Sequence, residues 1–180
     1  MEFVPLSDTV LSYLAQDDRE LKPYFRGVFA ADKLPPVSKK RVNAYIVNTD
    51  PAGEPGEHWF GIWTYHNTCE VFDSYGLPLS SYKNPTLQTW FKQWKEVISS
   101  DQPLQAMDSF TCGHYVLFFL KAKARHASFQ DFLAQWHLNN LVLNDRRVGE
   151  KLQRLIKTEL TRSDCQQSNV NRSTFCYFYQ

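Results

Sequence analysis

One stretch restricts the fold more than any other: "CGHYVLFFLKAKAR", residues 112–125. Its first nine residues are almost unbroken in their apolar character. A helix that is apolar on every side has to be buried, so the rest of the chain must wrap around it. The polar, turn-prone run "LQAMDSFT" (104–111) leads into it, which places Cys112 in the first turn of the buried helix, with Gly113 next. A thiol in that position has two readings. Free cysteine is a common small buried hydrophobe. It is also a nucleophile once it becomes a thiolate. A free thiol has a pKa near ~8.5, and a helix N-terminus and a neighbouring imidazolium both lower it. Gly113 removes a side chain beside the thiol, which would let a substrate backbone approach.

The remaining pattern describes a protein able to surround such a helix. The 180 residues fit a single domain, 1–180, and apolar and aromatic contents of 43% and 15% supply a core without disulfide staples. Residues 7–20 read as a short helix capped by Ser7 or Asp8, and 23–37 as a Pro- and Gly-punctuated loop. "RVNAYIVNT" (41–49) alternates as a strand. "HWFGIWTY" (58–65) and "CEVFDSY" (69–75) form a β-hairpin across "HNT". Helices are expected at 85–99, where Leu87, Trp90, Phe91 and Trp94 make one stripe, at 128–138 and at 140–160. Residues 161–172 are polar, and "STFCYFYQ" closes the chain as a strand candidate. The fold class expected is α+β: a mixed sheet packed against the central helix, with surrounding helices.

Several functions are set aside by composition. A net charge of +1 argues against bulk electrostatic binding to nucleic acid as the main task. Cys69, Cys112, Cys165 and Cys176 share no CxxC spacing, so no structural zinc is expected. The opening segment is acidic and amphipathic, and no apolar run reaches the ~18 residues of a membrane span. A monomer with free thiols in an intracellular setting is expected.

A nucleophilic Cys112 needs a base, and His58 is the histidine with a ready orienting partner. If the hairpin turns through two residues centred on His66-Asn67, or four with the same centre, Phe60 lies opposite Asp73 and His58 opposite Tyr75. Period-two alternation then puts all four on one face. His58 and Asp73 become diagonal neighbours, roughly ~7 Å apart at Cα and within side-chain reach. The carboxylate can accept from one imidazole nitrogen while the other faces the thiol. An odd-length loop would break this geometry. Seven residues before the thiol stands Gln105. A glutamine amide and the backbone N–H of the nucleophile are suitable donors for the oxyanion of acyl transfer; Gln102 is a less well-spaced rival.

The order and spacing of these pieces resemble adenain, the cysteine endopeptidase of adenoviruses and of related viruses and mobile elements. The resemblance rests on Pro23-Tyr24-Phe25 with Gly27, Ile46-Val47-Asn48-Thr49, His58-Trp59, Phe72-Asp73, Gly76, Gln105, Cys112-Gly113 and the Phe-Cys ending. It covers residues 21–120 and the tail. It implies a papain-like fold and cleavage after glycine, at apolar-x-Gly-x or apolar-x-Gly-Gly sites in viral capsid or core precursors, for virion maturation. By resemblance Cys112 is the nucleophile, His58 the base, Asp73 its orienter in place of a glutamate, and Gln105 an oxyanion donor. Trp59 would wall the substrate groove. The family location implied is the host nucleus and virion. No cofactor is required by the residues themselves; the family implies an activating peptide or DNA. The segment 99–105 lacks the cysteine through which such a peptide is tethered, and the net charge allows only weak DNA binding. Proteases of SUMO- or ubiquitin-like modifiers share the His, Asp, Gln, Cys-Gly order and are the alternative. A catalytically silent binding module of the same fold is a third reading.

Overall fold

The computed structural model describes residues 3–166, with side chains through 158. The elements are α1 (Asp8–Asp17), β1 (Phe25–Phe29), β2 (Asn43–Asn48), β3 (Trp59–Tyr65), β4 (Thr68–Phe72), α2 (Pro85–Phe91), β5 (Glu96–Ser99), α3 (Cys112–Ala124), α4 (Phe129–Leu133) and α5 (Leu141–Gln166). By its contacts the chain divides into residues 1–149 and 150–180, with the division inside α5. The sheet and the helix carrying Cys112 belong to the first unit. The C-terminal strand candidate and Cys176 lie outside the described residues.

The five strands form one sheet in sequence order. The inner pairs β2–β3 and β3–β4 are antiparallel, and the outer pairs β1–β2 and β4–β5 are parallel. The class is therefore α+β with a mixed sheet. Two segments depart from the sequence reading. Residues 25–29, expected in a loop, are a strand that bulges between Phe25 and Gly27 and pairs with β2. Residues 85–99, expected as one helix, stop being helical at Phe91, and Glu96–Ser99 joins β4. Both strands sit at the edges of the sheet. Their pairing depends on partners distant in sequence, which outweighs local pattern there. The apolar stripe of the expected helix is nonetheless buried, Trp94 included.

The central hairpin turns through two residues, His66 and Asn67, with His66 at φ 50. Its register runs from Tyr65 opposite Thr68 to Gly61 opposite Phe72. Continued past the strand ends, it sets Phe60 against Asp73 and His58 against Tyr75. The even loop length required by the sequence argument is present.

Helix α3 lies across β3, and its residues from Cys112 through Leu117 are all buried. The crossing is close because of Gly61: a Cβ there would stand 3.2 Å from both Phe119 and Val116. The basic end of α3 enters the core only as ion pairs. Lys123 Nζ meets Glu70 at 2.8 Å and Lys121 Nζ meets Asp18 at 2.5 Å. A second core of Tyr45, Val47, Phe60, Ile62 and Val71 packs on Tyr82 and the α2 residues Leu87, Trp90 and Phe91.

Candidate active site

Four segments converge at the N-terminus of α3: the start of β3, the turn after β4, the loop 104–111, and the amino-terminal arm. Cys112 is the first helical residue, and its N-cap Thr111 offers no capping bond to the helix. The Thr111 hydroxyl instead donates to Asp145 Oδ1 at 2.7 Å. The first-turn N–H groups therefore keep their positive end for an anion. Cys112 lines a surface groove. Cys69, by contrast, is fully buried in the core, and burial pushes its thiol pKa well up.

His58 immediately precedes β3, and Asp73 immediately follows β4. His58 Nε2 and Asp73 Oδ1 are 2.8 Å apart, with both side chains buried. His58 Nδ1 has no hydrogen-bond partner. It is the nitrogen left for the Cys112 side chain, with which the imidazole interacts. Burial pulls the imidazole pKa down, but the hydrogen bond to Asp73 and then the interaction with Cys112 override it. The result is a pKa raised from 6.5 to about 9. Tyr75 stacks on the imidazole with centroids 4.5 Å apart. The Tyr75 backbone N–H also donates to Asp73 Oδ1 at 2.7 Å.

The other carboxylate oxygen has a partner that no spacing in the sequence signals. Tyr82 Oη donates to Asp73 Oδ2 at 2.5 Å. Tyr82 is buried and stacked on Phe60 at 4.8 Å. Burial, and then the charge of Asp73, push the phenol pKa far up. Tyr82 therefore remains a donor throughout the working pH range.

Gln105 is brought to the site, but its bonds differ from those expected of a free oxyanion donor. It is 1% exposed. Its Oε1 accepts from Ser74 Oγ at 2.6 Å, and its Nε2 donates to the Ser109 carbonyl at 2.7 Å and to Tyr75 Oη at 3.3 Å. With both amide hydrogens engaged, Gln105 is a strut between the Asp73 turn and the loop before Cys112. Gly76, at φ 66, makes that approach feasible: a Cβ there would come within 2.7 Å of the backbone at Gln102 and Pro103. Asp145 ties down the same loop, accepting from Ala106 N and from the hydroxyls of Thr111 and Tyr115.

At Gly113, expected to let a substrate backbone approach, an added Cβ would meet Leu11 and Leu6 at 3.2 and 3.3 Å and Trp59 at 3.4 Å. The absent side chain lets the amino-terminal arm pack down on the helix. Trp59 lines the groove and donates from Nε1 to the Leu6 carbonyl at 3.0 Å. His114 faces the arm near Phe3 and is unsuited to act as a base, since burial lowers its pKa to about 4. Among the described residues no group of His, Cys, Asp and Glu could hold a metal ion, and no helix is long and apolar enough to cross a membrane.

The mixed five-stranded sheet packed on a buried helix is an α+β arrangement of the papain/adenain-like cysteine protease fold, by its likeness to a solved structure. In fold the chain is similar to the ASFV pS273R protease, with a TM-score of 0.50 and 14% identity over 81% of this chain. It spans 66% of that protease, just under two thirds of its length. The selenomethionine form of that protease aligns at a TM-score of 0.37 and 21% identity, over 59% of this chain and 43% of that one. The Legionella pneumophila effector RavZ aligns at 0.31 and 12%, over 93% and 55%. The last two overlaps are too loose to argue from. No family model matches the chain, and no curated protein matches it in sequence. The likeness is to a distant cysteine protease fold, not to adenain itself.

Proposed function

We propose that this chain is a cysteine endopeptidase working through Cys112, His58 and Asp73. The observation that carries this reading is the buried His58–Asp73 hydrogen bond, with the second imidazole nitrogen unpartnered beside a cysteine at an uncapped helix N-terminus. With a pKa of about 9, His58 is an imidazolium at neutral pH and supplies the counter-charge for a Cys112 thiolate. Sγ attacks the scissile carbonyl carbon, and the first-turn N–H groups of α3 donate to the oxygen that becomes negative. His58 gives its Nδ1 proton to the departing amine as the C–N bond breaks, leaving a thioester on Cys112. His58 then takes a proton from water, whose oxygen attacks the thioester; the C–S bond breaks, the acid product leaves, and the Cys112 thiolate–His58 imidazolium pair is restored. Asp73 holds the imidazole in the required tautomer. Gln105 serves by bracing Tyr75 and the Ser109 carbonyl, so the oxyanion rests chiefly on backbone donors.

Cleavage after glycine, in precursor proteins of adenovirus-like viruses, is the specificity that the adenain resemblance adds. The modifier-protease alternative draws its support from Asp73, where adenain often carries glutamate. Cleavage of an apolar-x-Gly-Gly-x peptide is to be compared with cleavage of a modifier precursor, each with and without DNA, using wild type, Cys112→Ala and His58→Ala. Turnover of the short peptide lost in both variants supports the endopeptidase. Turnover retained in Cys112→Ala would sink it, as would iodoacetamide labelling that does not favour Cys112 over Cys69.

A further inference from the structure

The groove that ends on Cys112 is charged on one side only. It encloses about 690 Å³, and its lining includes Asp8, Asp50, Glu54, Glu57 and Asp108 but no lysine, arginine or histidine. Among the described residues none of the five carboxylates forms an ion pair. The nearby Asp32, whose Oδ1 accepts the Ala52 N–H, does have a counter-ion in Lys33. The five come from three separate segments: the start of α1, the loop 50–57 and the loop before α3. They therefore face one space from different directions rather than forming a single acidic run. The whole chain carries a net charge of +1, so this polarity belongs to the groove and not to the molecule.

Two features of this space suit a bound polypeptide. Met107 and Phe110, on the same wall as Asp108, are 77% and 51% exposed. Such apolar exposure beside a nucleophile is a surface for side chains of a bound chain. Cys112, the candidate nucleophile, lines the same groove, so a chain bound there would lie against the thiol. We propose that the groove selects extended polypeptides carrying lysine or arginine within a few residues of the bond presented to Cys112. The inference deepens the endopeptidase reading and rests on it for the orientation of the substrate. The physical reason is field focusing: unpaired carboxylates around a partly enclosed space attract cations more strongly than the same charges spread over an open surface. Acidic flanks would bring further negative charge among the five and bind worst.

The test uses the full chain and one apolar-x-Gly-Gly core peptide, labelled with fluorescein and flanked by alanine, lysine or glutamate. Binding to Cys112→Ala by fluorescence anisotropy reads the groove without turnover. The expected order is lysine over alanine over glutamate, with about tenfold between the extremes at low salt. The preference is expected to shrink as salt rises and to be largely lost in E54Q/E57Q, whose two altered side chains are exposed. Equal binding of the three peptides would overturn the proposal, and so would a lysine preference left intact in E54Q/E57Q. Cleavage of the same peptides by the wild type is read separately. Charge-graded binding without cleavage would sink the hydrolase reading while upholding the groove's preference.

Discussion

His58 illustrates how a residue's chemistry is made by its neighbours. Burial alone would leave a neutral imidazole, as it does at His114; the carboxylate of Asp73 reverses that. Because the folded pKa of about 9 lies above the ordinary 6.5, the paired imidazolium stabilises the fold fully below pH 6.5. That contribution is lost as pH rises through 9. Urea melts at pH 6 and 9.5 should therefore show lower stability at the higher pH, with a smaller difference in His58→Gln. The alkaline limb of kcat/KM should fall near pH 9 for the same reason. Tyr82 adds a second prediction. It is the donor to Asp73 Oδ2, and Tyr82→Phe keeps the ring that stacks on Phe60. Freed of that bond, the carboxylate can rotate away from Nε2. The expected result is roughly a tenfold lower kcat at little-changed KM, with the alkaline limb moved down toward the ordinary histidine range. An unmoved limb would reduce Tyr82 to a packing residue.

At the scale of elements, the site depends on a parity and a close crossing. The two-residue turn at His66-Asn67 keeps His58 and Asp73 on one face; one inserted residue would send Asp73 to the other. The parity condition was readable beforehand, since period-two alternation is a local property; the two-residue turn that meets it is seen in the structure. The crossing of α3 over β3 is governed by Gly61, where any side chain meets Phe119 and Val116. Gly61→Val should cost about 1–3 kcal/mol in a denaturant melt. It should also slow labelling of Cys112, because α3 must shift to accommodate the methyl groups. The edge strands β1 and β5 were not readable. Parallel pairing has no turn to announce it, and Glu96–Ser99 follows an amphipathic stripe that continues plausibly as helix until β4 claims it.

Over the whole first unit, the chain closes on itself around the thiol. Residues before α1 pass over Gly113, accept a hydrogen bond from Trp59 and line the groove. Removing residues 1–6 leaves the Ser7 cap of α1 but exposes Leu11, Gly113 and Trp59. The expected outcome is a melting temperature lower by several degrees and faster iodoacetamide labelling of Cys112; unchanged labelling would show that the arm does not wall the groove. Sequence alone determined that an all-round apolar helix must be buried with a thiol in its first turn, and that His58 and Asp73 share a hairpin face provided the turn is even. Both follow from short-range periodicity, which a chain carries wherever it folds. Tertiary structure decided the rest. Gln105 became a strut, Tyr82 the second donor to Asp73, Gly113 a seat for the arm, and five dispersed carboxylates the lining of one groove. Each of these depends on segments tens of residues apart meeting in a single packing arrangement, and local pattern holds no record of such meetings.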